Sequence, residues 1–301
     1  MRIIITGGSG FIGRYLVKDL KNFHRLHLFG RQQELSHQNQ NNVSYHQTDY
    51  SLNSLENLFQ TINPDAVIHL AALRYSSELN HTEYLANLSI SLNLFETCHK
   101  FDVQNIVNIS TISVYSELDE IPWKENSETH PSNGYGLSKK WVEVAADYFC
   151  TKGLQIKSLR LAQLIGLGER DGYVLQTFLN NAINNKPQHV YGNNIGRRQY
   201  IYIKDVLTAI NHALNLSSIH GIFNIGMKNN YTFLEVAETI NDVFENSSKI
   251  KKLEDKSADE KIYLMDISKA ENILEWYPSY NLYETYVDIK NNELIPPDSK
   301  G

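Results

Sequence analysis

The sequence predicts an α/β protein with a doubly wound parallel sheet and a smaller C-terminal lobe, and two observations predict it. Short apolar runs alternate with segments whose apolar residues recur at helical spacing, a pattern typical of stacked βαβ units. The first run, residues 2–5, ends at a glycine cluster that leads directly into a helical segment at 11–20. Further strands are expected at residues 26–29, 43–46, 66–70, 106–109 and 156–161. Helices are expected between them at residues 54–62, 84–99 and 135–149.

The part of the chain after residue 161 has less regular spacing and predicts a second lobe. Glycine and asparagine cluster at residues 166–172 and 192–196, between two helix-like stretches. We therefore expect a first domain over residues 1–165 and a smaller lobe over 166–295. Residues 204–215 have helical spacing and are expected to return to the first domain, so that the two parts are interleaved. The tail, residues 296–301, is expected to fray.

Composition excludes several classes of function. The chain has 28 basic and 34 acidic residues and a pI near 6.0, so it carries no basic excess that would recruit nucleic acid. Two cysteines, Cys98 and Cys150, cannot build a disulfide framework or a four-cysteine metal site. The histidines lack metal-binding spacing, so we expect no metal. No apolar run has the length of a spanning helix, and we expect a cytoplasmic protein without membrane insertion.

The glycine cluster has the spacing and the context of a dinucleotide-binding loop. It follows the first strand and opens the first helix, which makes the predicted sheet a Rossmann-type fold. The glycines permit a tight turn, a close approach of the backbone to a pyrophosphate and close helix packing, and the helix N-terminus faces the anion. The alternative is a flexible turn without a ligand. The residues expected to contact the cofactor here are Gly7, Gly10, Phe11, Ile12 and Gly13.

The end of the second strand bears on the choice of cofactor. An acidic residue in this region accepts the ribose hydroxyls in proteins that prefer NAD, whereas this chain has Gly30 followed by Arg31. A guanidinium can form a forked pair with a 2′-phosphate, so the sequence favours NADP(H). A single arginine on a loop is often only solvated, so NAD(H) stays open.

Three residues form a candidate catalytic group. Tyr135 and Lys139 are four apart, so they lie on one face of a helix, about one turn from each other. A nearby lysine cation favours the phenolate form, which lets a tyrosine exchange a proton near neutral pH while a hydride moves. Thr111 follows a predicted strand at the carboxyl edge of the sheet and is expected to orient the substrate oxygen. Without the glycine loop, these residues would indicate only a surface tyrosine beside a lysine and a threonine in a turn.

The chain resembles the extended short-chain dehydrogenase/reductases of the NAD-dependent epimerase/dehydratase family, which act on nucleotide sugars. The resemblance covers nearly the whole chain. Besides the glycine loop and the tyrosine and lysine pair, it rests on Asp49-Tyr50, His69-Leu70-Ala71-Ala72, Asn87, Arg160, residues 198–202 and residues 266–269. It implies a substrate-binding C-terminal lobe, a nucleotide-sugar substrate and a place in polysaccharide biosynthesis.

The resemblance also implies roles for individual residues. Asp49 and Tyr50 would hold the adenine, and Asn87 would support the cofactor. Cofactor contacts near the pyrophosphate and the nicotinamide ribose would come from Leu70, Ala71, Ala72 and Arg74. Tyr135 and Lys139 are expected to contact the cofactor as well as to catalyse. Arg198 would bind the substrate diphosphate, for which a planar forked donor is suited, although a salt bridge to Asp205 is an alternative. The other expected substrate residues are Ser113, Gln163 and Tyr191, with His189 near the nucleobase. The helices at 84–99 and 135–149 resemble those that form a homodimer contact in this family.

Departures from the family pattern reduce the number of reactions that the chain is expected to catalyse. The 4,6-dehydratases carry an acid pair after the threonine, where this chain has Ile112 and Ser113, so dehydration is not expected. The 3,5-epimerases place a cysteine at the Ser113 position, and a serine is too weak an acid or base to replace it. Gln163 stands where the family usually has asparagine. Its longer amide changes the sugar pocket, so the identity of the sugar is not carried over from the family.

Hydride transfer at the sugar 4-position remains, with two outcomes. Arg31 favours an NADPH-dependent 4-keto-sugar reductase. The alternative is a 4-epimerase of the UDP-glucose or UDP-N-acetylglucosamine type that holds NAD tightly. A third reading, a non-catalytic cofactor sensor, has no chemical need for the Tyr135 and Lys139 pair.

Overall fold

The computed structural model of the chain describes residues 1–31, 42–73, 81–116, 118–169, 173–254 and 260–293. Its strands are β1 (Arg2–Thr6), β2 (Arg25–Gly30), β3 (Val43–Gln47), β4 (Ala66–His69), β5 (Asn105–Thr111), β6 (Gln155–Leu161), β7 (Gln163–Ile165), β8 (Gln188–Tyr191), β9 (Arg198–Tyr202), β10 (Gly221–Ile225), β11 (Asn230–Tyr231) and β12 (Ile250–Leu253). Its α-helices are α1 (Phe11–Leu20), α2 (Leu52–Ile62), α3 (His81–Lys100), α4 (Gly134–Cys150), α5 (Val174–Ile183), α6 (Ile203–Asn215), α7 (Phe233–Phe244), α8 (Ser268–Ile273) and α9 (Leu282–Asp288). A 3-10 turn covers Ile112–Val114 and a π-helical turn covers Ile289–Glu293.

A seven-stranded parallel sheet is the centre of the fold. Its strand order is β10-β6-β5-β4-β1-β2-β3, and every neighbouring pair is parallel. The order reverses at β1, which pairs with β2 on one side and β4 on the other, so the carboxyl ends of β1 and β4 border the crevice where such sheets bind ligands. The predicted doubly wound sheet is confirmed, and the predicted strands and helices fall within a few residues of the observed ones.

The sheet is buried on both faces, which explains the continuous apolar strands of the sequence. In β1, Ile3 and Ile5 enter one core cluster and Ile4 enters the other, and all three are fully buried. The first cluster lies under α1 and α6, and the second lies under α2, α3 and α4. Strands covered by helices on both sides need apolar residues at successive positions, because neither face meets water.

The second half of the chain supplies smaller sheets and also adds to the large one. Strands β11, β9 and β7 form a three-stranded sheet, and β12 pairs with β8. Strand β10, which the sequence pattern did not predict, extends the large sheet beside β6.

Helix α6 contacts α1 and β5, and Asn105 Nδ2 donates to the Leu214 carbonyl at 2.8 Å. The division into residues 1–165 and 166–295 stays a prediction, and the tail at 296–301 lies outside the described residues. In the described ranges no helix is long and apolar enough to cross a bilayer.

Candidate active site

The glycine loop is packed so closely that side chains would not fit. Gly7 has a φ of +71°, and a Cβ on it would lie 2.9 Å from the Ala71 nitrogen. A Cβ on Gly13 would lie 2.4 Å from the Gly7 carbonyl oxygen. Helix α1 begins after Gly10, which offers no side-chain cap, so the first N–H groups of the helix are available to an anion. This cradle fits the pyrophosphate of a dinucleotide.

The end of β2 has space beside it. Among the described residues, an added Cβ on Gly30 would meet no heavy atom within 4 Å. A small cavity next to it is lined by Gly8 and Ser9 of the glycine loop and by Tyr45 and His46 of β3. Arg31, the last described residue before 42, is exposed. Within the described residues, space is therefore left at the end of β2, the position where a carboxylate is expected in NAD-preferring proteins.

Asp49 and Tyr50 hold the start of α2 and the end of β2. The exposed Asp49 carboxylate accepts hydrogen bonds from the nitrogen and the hydroxyl of Ser51, and the first of these is the main cause of its lowered pKa. The Tyr50 ring is buried, and its hydroxyl donates to the Phe29 carbonyl at 2.9 Å. Burial raises the pKa of Tyr50 to about 12, so the hydroxyl stays a donor. Their adenine-binding roles stay predictions.

The segment after β4 is fixed from two sides. The Ala71 nitrogen donates to Thr6 Oγ1 at 3.1 Å. Asn87 of α3 accepts from the Leu73 nitrogen at 2.7 Å and donates to the Leu73 carbonyl at 2.9 Å. Asn87 also donates to Ser138 of α4 at 3.3 Å, so its described contacts hold the wall of the crevice. Leu70 and Ala72 lie in the same segment, and Arg74 lies outside the described residues.

His69 is buried at the end of β4 in a chain of hydrogen bonds. Its Nδ1 lies 2.7 Å from Thr6 Oγ1, and its Nε2 lies 2.9 Å from Ser91 Oγ. The Ser91 hydroxyl donates to the Asn87 carbonyl, so Ser91 accepts from Nε2–H and Thr6 donates to Nδ1. Burial, and secondly the charge of Lys139, lower the pKa of His69 to about 3. The imidazole is therefore neutral at physiological pH.

The candidate catalytic residues meet at the carboxyl edge of the sheet. A pocket of about 350 Å³ is lined by Thr111 and Ser113 after β5 and by Tyr135 at the start of α4. Asn133 Oδ1 accepts from the Gly136 nitrogen at 2.8 Å, which caps α4 and fixes the turn that carries Tyr135. Ile12 of α1 lines the same pocket, which connects it with the glycine loop.

Lys139 lies one turn further along α4 and is buried. Its Nζ donates to the Ile109 carbonyl of β5 at 2.7 Å. Burial lowers the pKa of Lys139 to about 8, and the neighbouring Glu143 opposes this shift. An ammonium with this pKa is charged at pH 7 and loses its proton under mildly alkaline conditions.

Arg198 lines the pocket from β9, and its guanidinium lies close to two aromatic rings. Its Cζ is 5.1 Å from the centroid of Phe233 and 5.0 Å from that of Tyr263. The alternative partner named from the sequence, Asp205, accepts hydrogen bonds from the nitrogens of Ser279 and Tyr280 at 2.8 and 3.2 Å. Contact with two aromatic rings restricts the guanidinium, which as a planar forked donor is suited to bind a phosphate.

The pocket includes Gln163 but not every predicted substrate residue. Tyr191 is 56% exposed on β8, outside the residues that line the pocket, and His189 is exposed on the same strand. Several lining residues were not singled out from the sequence: Ser132, Asn133, Glu169, Tyr173 and Tyr263. Ser132 and Asn133 could have been found because they lie only three and two residues before Tyr135. Tyr263 has no sequence signal, because its place depends on the hydrogen bond from its nitrogen to the Arg197 carbonyl at 2.8 Å.

A dinucleotide loop beside a tyrosine and lysine pair defines a Rossmann-type nicotinamide-dependent enzyme. The sequence profile of the NAD dependent epimerase/dehydratase family matches residues 3–226, and the chain belongs to this family. The family resemblance identified from the sequence is confirmed.

Comparison with known proteins gives relatives of several activities. The structure of a UDP-N-acetylglucosamine 4-epimerase from Bacillus cereus is 33% identical, with a TM-score of 0.86, and the match covers 96% of this chain and 98% of that one. A UDP-glucuronate 4-epimerase from Thermodesulfobacterium geofontis is 28% identical over 93% of this chain and 92% of its own. A dTDP-4-dehydro-6-deoxyglucose reductase from Escherichia coli is 28% identical over 92% of each chain.

Proposed function

We propose that this chain transfers hydride at carbon 4 of a nucleotide sugar, with Tyr135 as the acid or base. The observation that carries the proposal is the common pocket of Thr111, Tyr135, Gln163 and Arg198 at the carboxyl edge of the sheet, beside the glycine cradle. The relatives support it, because they include both 4-epimerases and a 4-keto-sugar reductase.

Each residue of the pocket has a separate role in the proposed reaction. Tyr135 gives a proton to the sugar 4-oxygen when a ketone is reduced, or takes one when an alcohol is oxidised. Thr111 donates a hydrogen bond to the same oxygen, and Lys139 supplies a positive charge one turn away. Arg198, which lies close to two aromatic rings, binds the diphosphate and so fixes the distance from the nucleotide to the reacting carbon. When bound, the nicotinamide cofactor supplies or accepts the hydride.

For the cofactor we propose NADP(H), and with it the 4-keto-sugar reductase. The support is local: the space beside Gly30, the adjacent Arg31 and the hydroxyl of Ser9 at the same cavity favour a 2′-phosphate. The test is Gly30→Asp, whose carboxylate fits the space and repels a 2′-phosphate. We expect NADPH to bind at least ~10-fold more weakly and NADH to bind more tightly. Unchanged preference would contradict the NADP(H) assignment.

The second candidate is a 4-epimerase that holds NAD(H). The B. cereus likeness favours it, because that protein is a UDP-N-acetylglucosamine 4-epimerase and the match covers both chains almost completely. The same pocket would serve this reaction, with proton transfer at Tyr135 in both directions.

One assay separates the two. Purified protein is incubated with UDP-, GDP- and dTDP-linked sugars and their 4-keto-6-deoxy forms, with and without NADPH. Consumption of NADPH with a keto sugar supports the reductase, and exchange of 4-isomers without added cofactor supports the epimerase. Absence of both reactions would refute the proposed function.

Tyr135→Phe tests the mechanism within this assay. It should reduce turnover by at least ~100-fold and leave cofactor affinity within about twofold, because only the exchangeable proton is removed. Tyr283→Phe is the matched control, since Tyr283 of α9 is 51% exposed and does not line the pocket. Turnover that survives in Tyr135→Phe would exclude Tyr135 as the acid or base and would revive the cofactor-sensor alternative.

We also propose a homodimer through α3 and α4. These helices pack on each other and expose large apolar side chains: Leu85 at 52%, Val144 at 59% and Tyr148 at 58%. Apolar side chains that cluster on an exposed helix face commonly mark an interface. A monomeric mass by light scattering would contradict the dimer. The cytoplasmic location stays a prediction.

A further inference from the structure

Helix α4 carries a second buried charge one turn beyond Lys139. Glu143 is 2% exposed, and its Oε1 accepts from Ser110 Oγ of β5 at 2.6 Å. Arg160 of β6 donates from Nε to Oε1 at 2.9 Å and from Nη2 to Oε2 at 2.8 Å, a forked pair with both side chains at most 1% exposed. A buried pair is retained only when both groups are fully hydrogen-bonded, because each charge is costly to remove from water.

Arg160 is in turn held from its other side. Its Nη1 donates to the Tyr115 hydroxyl at 2.6 Å, and its Cζ lies 4.7 Å from the Tyr115 ring centroid. Tyr115 stacks on Trp123, with centroids 5.0 Å apart and planes 15° from parallel. The guanidinium therefore has one fixed orientation, and it fixes the carboxylate of Glu143.

The clamped carboxylate and Lys139 hold the same stretch of β5. Lys139 Nζ donates to the Ile109 carbonyl, and Glu143 accepts from Ser110, the next residue. Glu143 raises the pKa of Lys139 against the effect of burial, and Lys139 in turn lowers the pKa of His69, which stays neutral. On its own helix, Lys139 has Tyr135 one turn earlier and Glu143 one turn later, and Lys140 lies 4.0 Å from the Glu143 carboxylate. From the sheet, His69 of β4 and Arg160 of β6 are the described ionisable groups nearby. Glu143 is the carboxylate among these groups, so it is the one that favours the charged form of Lys139.

We propose that Glu143, clamped by Arg160, is a positioning residue that keeps Lys139 charged and docked on the end of β5, one helical turn from Tyr135. The inference rests on the proposed function, because Lys139 is the residue through which it acts. Arg160 is needed to orient the carboxylate, and it takes no part in proton transfer.

The decisive variant is Glu143→Gln, which removes the carboxylate, leaves the Arg160 cation in place and is expected to lower the melting temperature. The double exchange Glu143→Met/Arg160→Met removes both charges together and replaces them with apolar side chains, so the interior keeps no unpaired ion and the effect of the carboxylate is separated from that of an unpaired Arg160. Asp147→Asn is the matched control, because Asp147 is exposed on the same helix one turn further.

The first readout is the titration of Lys139, followed by ¹³C NMR of labelled lysine, with its resonance assigned by its loss in Lys139→Met. The expected midpoint is about 8 in the wild type. In Glu143→Gln it should be lower by at least ~1 pH unit, because a neighbouring charge shifts a pKa by about 1–3 units. In the double variant the shift should be smaller, because the loss of the Arg160 cation offsets part of the loss of the carboxylate. This measurement needs no substrate, so it distinguishes failure of this inference from failure of the proposed function.

The second readout is the pH profile of kcat. The alkaline loss of activity should begin at least ~1 pH unit lower in Glu143→Gln than in the wild type and in Asp147→Asn, and the double variant should lie between them. A folded Glu143→Gln variant, or a folded double variant if the single one does not fold, whose lysine titration and pH profile coincide with those of the wild type would overturn the proposal and leave the pair a purely structural role.

Discussion

The buried histidine at the end of β4 makes the stability of the protein depend on pH. His69 is fully buried, and its pKa is lowered from 6.5 to about 3 by burial and the charge of Lys139. Because the folded pKa lies below the unfolded one, the unfolded chain binds the proton first. The stabilisation is therefore complete above pH 6.5 and is lost as the pH falls toward 3.

The size of the effect follows from these two pKa values. At pH 4.5 the unfolded histidine is almost fully protonated, whereas the folded one is still neutral, so His69 reduces the free energy of unfolding by about 2.5 kcal/mol relative to pH 7. The figure changes little with the folded pKa, as long as this pKa stays well below 4.5. Protonated Nδ1 would also face the Thr6 hydroxyl as a second donor, which explains why the folded protein resists protonation.

The assay is urea unfolding at several pH values between 7 and 4.5, for the wild type and His69→Gln. Glutamine cannot titrate, so the wild type should lose about 2.5 kcal/mol more than the variant over this range. His99→Gln, at the exposed end of α3, is the control and should keep the wild-type slope. Parallel slopes for the wild type and His69→Gln would refute the assignment of a neutral, buried His69.

Three further predictions test the cradle, the catalytic turn and the dimer. Gly13→Ala places a Cβ 2.4 Å from the Gly7 oxygen, and cofactor affinity measured by fluorescence should fall at least ~100-fold; near-normal affinity would contradict the close packing. Gly136→Ala places a Cβ 2.0 Å from the Ser113 carbonyl oxygen, so the catalytic turn must move. Its kcat should fall ~100-fold with the circular dichroism spectrum retained, and normal kcat would show that the turn tolerates the shift. Tyr148→Glu introduces a charge on the exposed face of α4 and should give a monomeric mass by light scattering; a dimer that persists would place the interface elsewhere.

Much of the fold could be predicted because its determinants are local. The apolar run of β1 is continuous, since helices cover both faces of the sheet. Strand β10 was not predicted, although it completes the sheet, because it pairs with β6 more than fifty residues earlier in the chain. Pairing over such a distance leaves little trace in the pattern of a five-residue segment.

The candidate site likewise contains residues that are close in sequence and residues that only folding brings together. Tyr135 and Lys139 are one helical turn apart, and Gly7 and Gly13 belong to one loop. The sequence alone therefore predicts that the members of each pair lie close together. The wall that faces Tyr135 consists of residues such as Arg198 and Tyr263, which only the packing of the second half brings there.

The sequence by itself determined the parallel sheet, the cofactor loop and the tyrosine and lysine pair, because turns, helical spacing and strand ends are properties of neighbouring residues. Tertiary structure alone decided the charge states and the orientations of the buried ionisable side chains. His69 is neutral because three elements enclose it, and Glu143 has its role because Arg160, from another strand, meets it in the core. Burial and long-range partners set the pKa of a group, and neither is visible until the chain has folded.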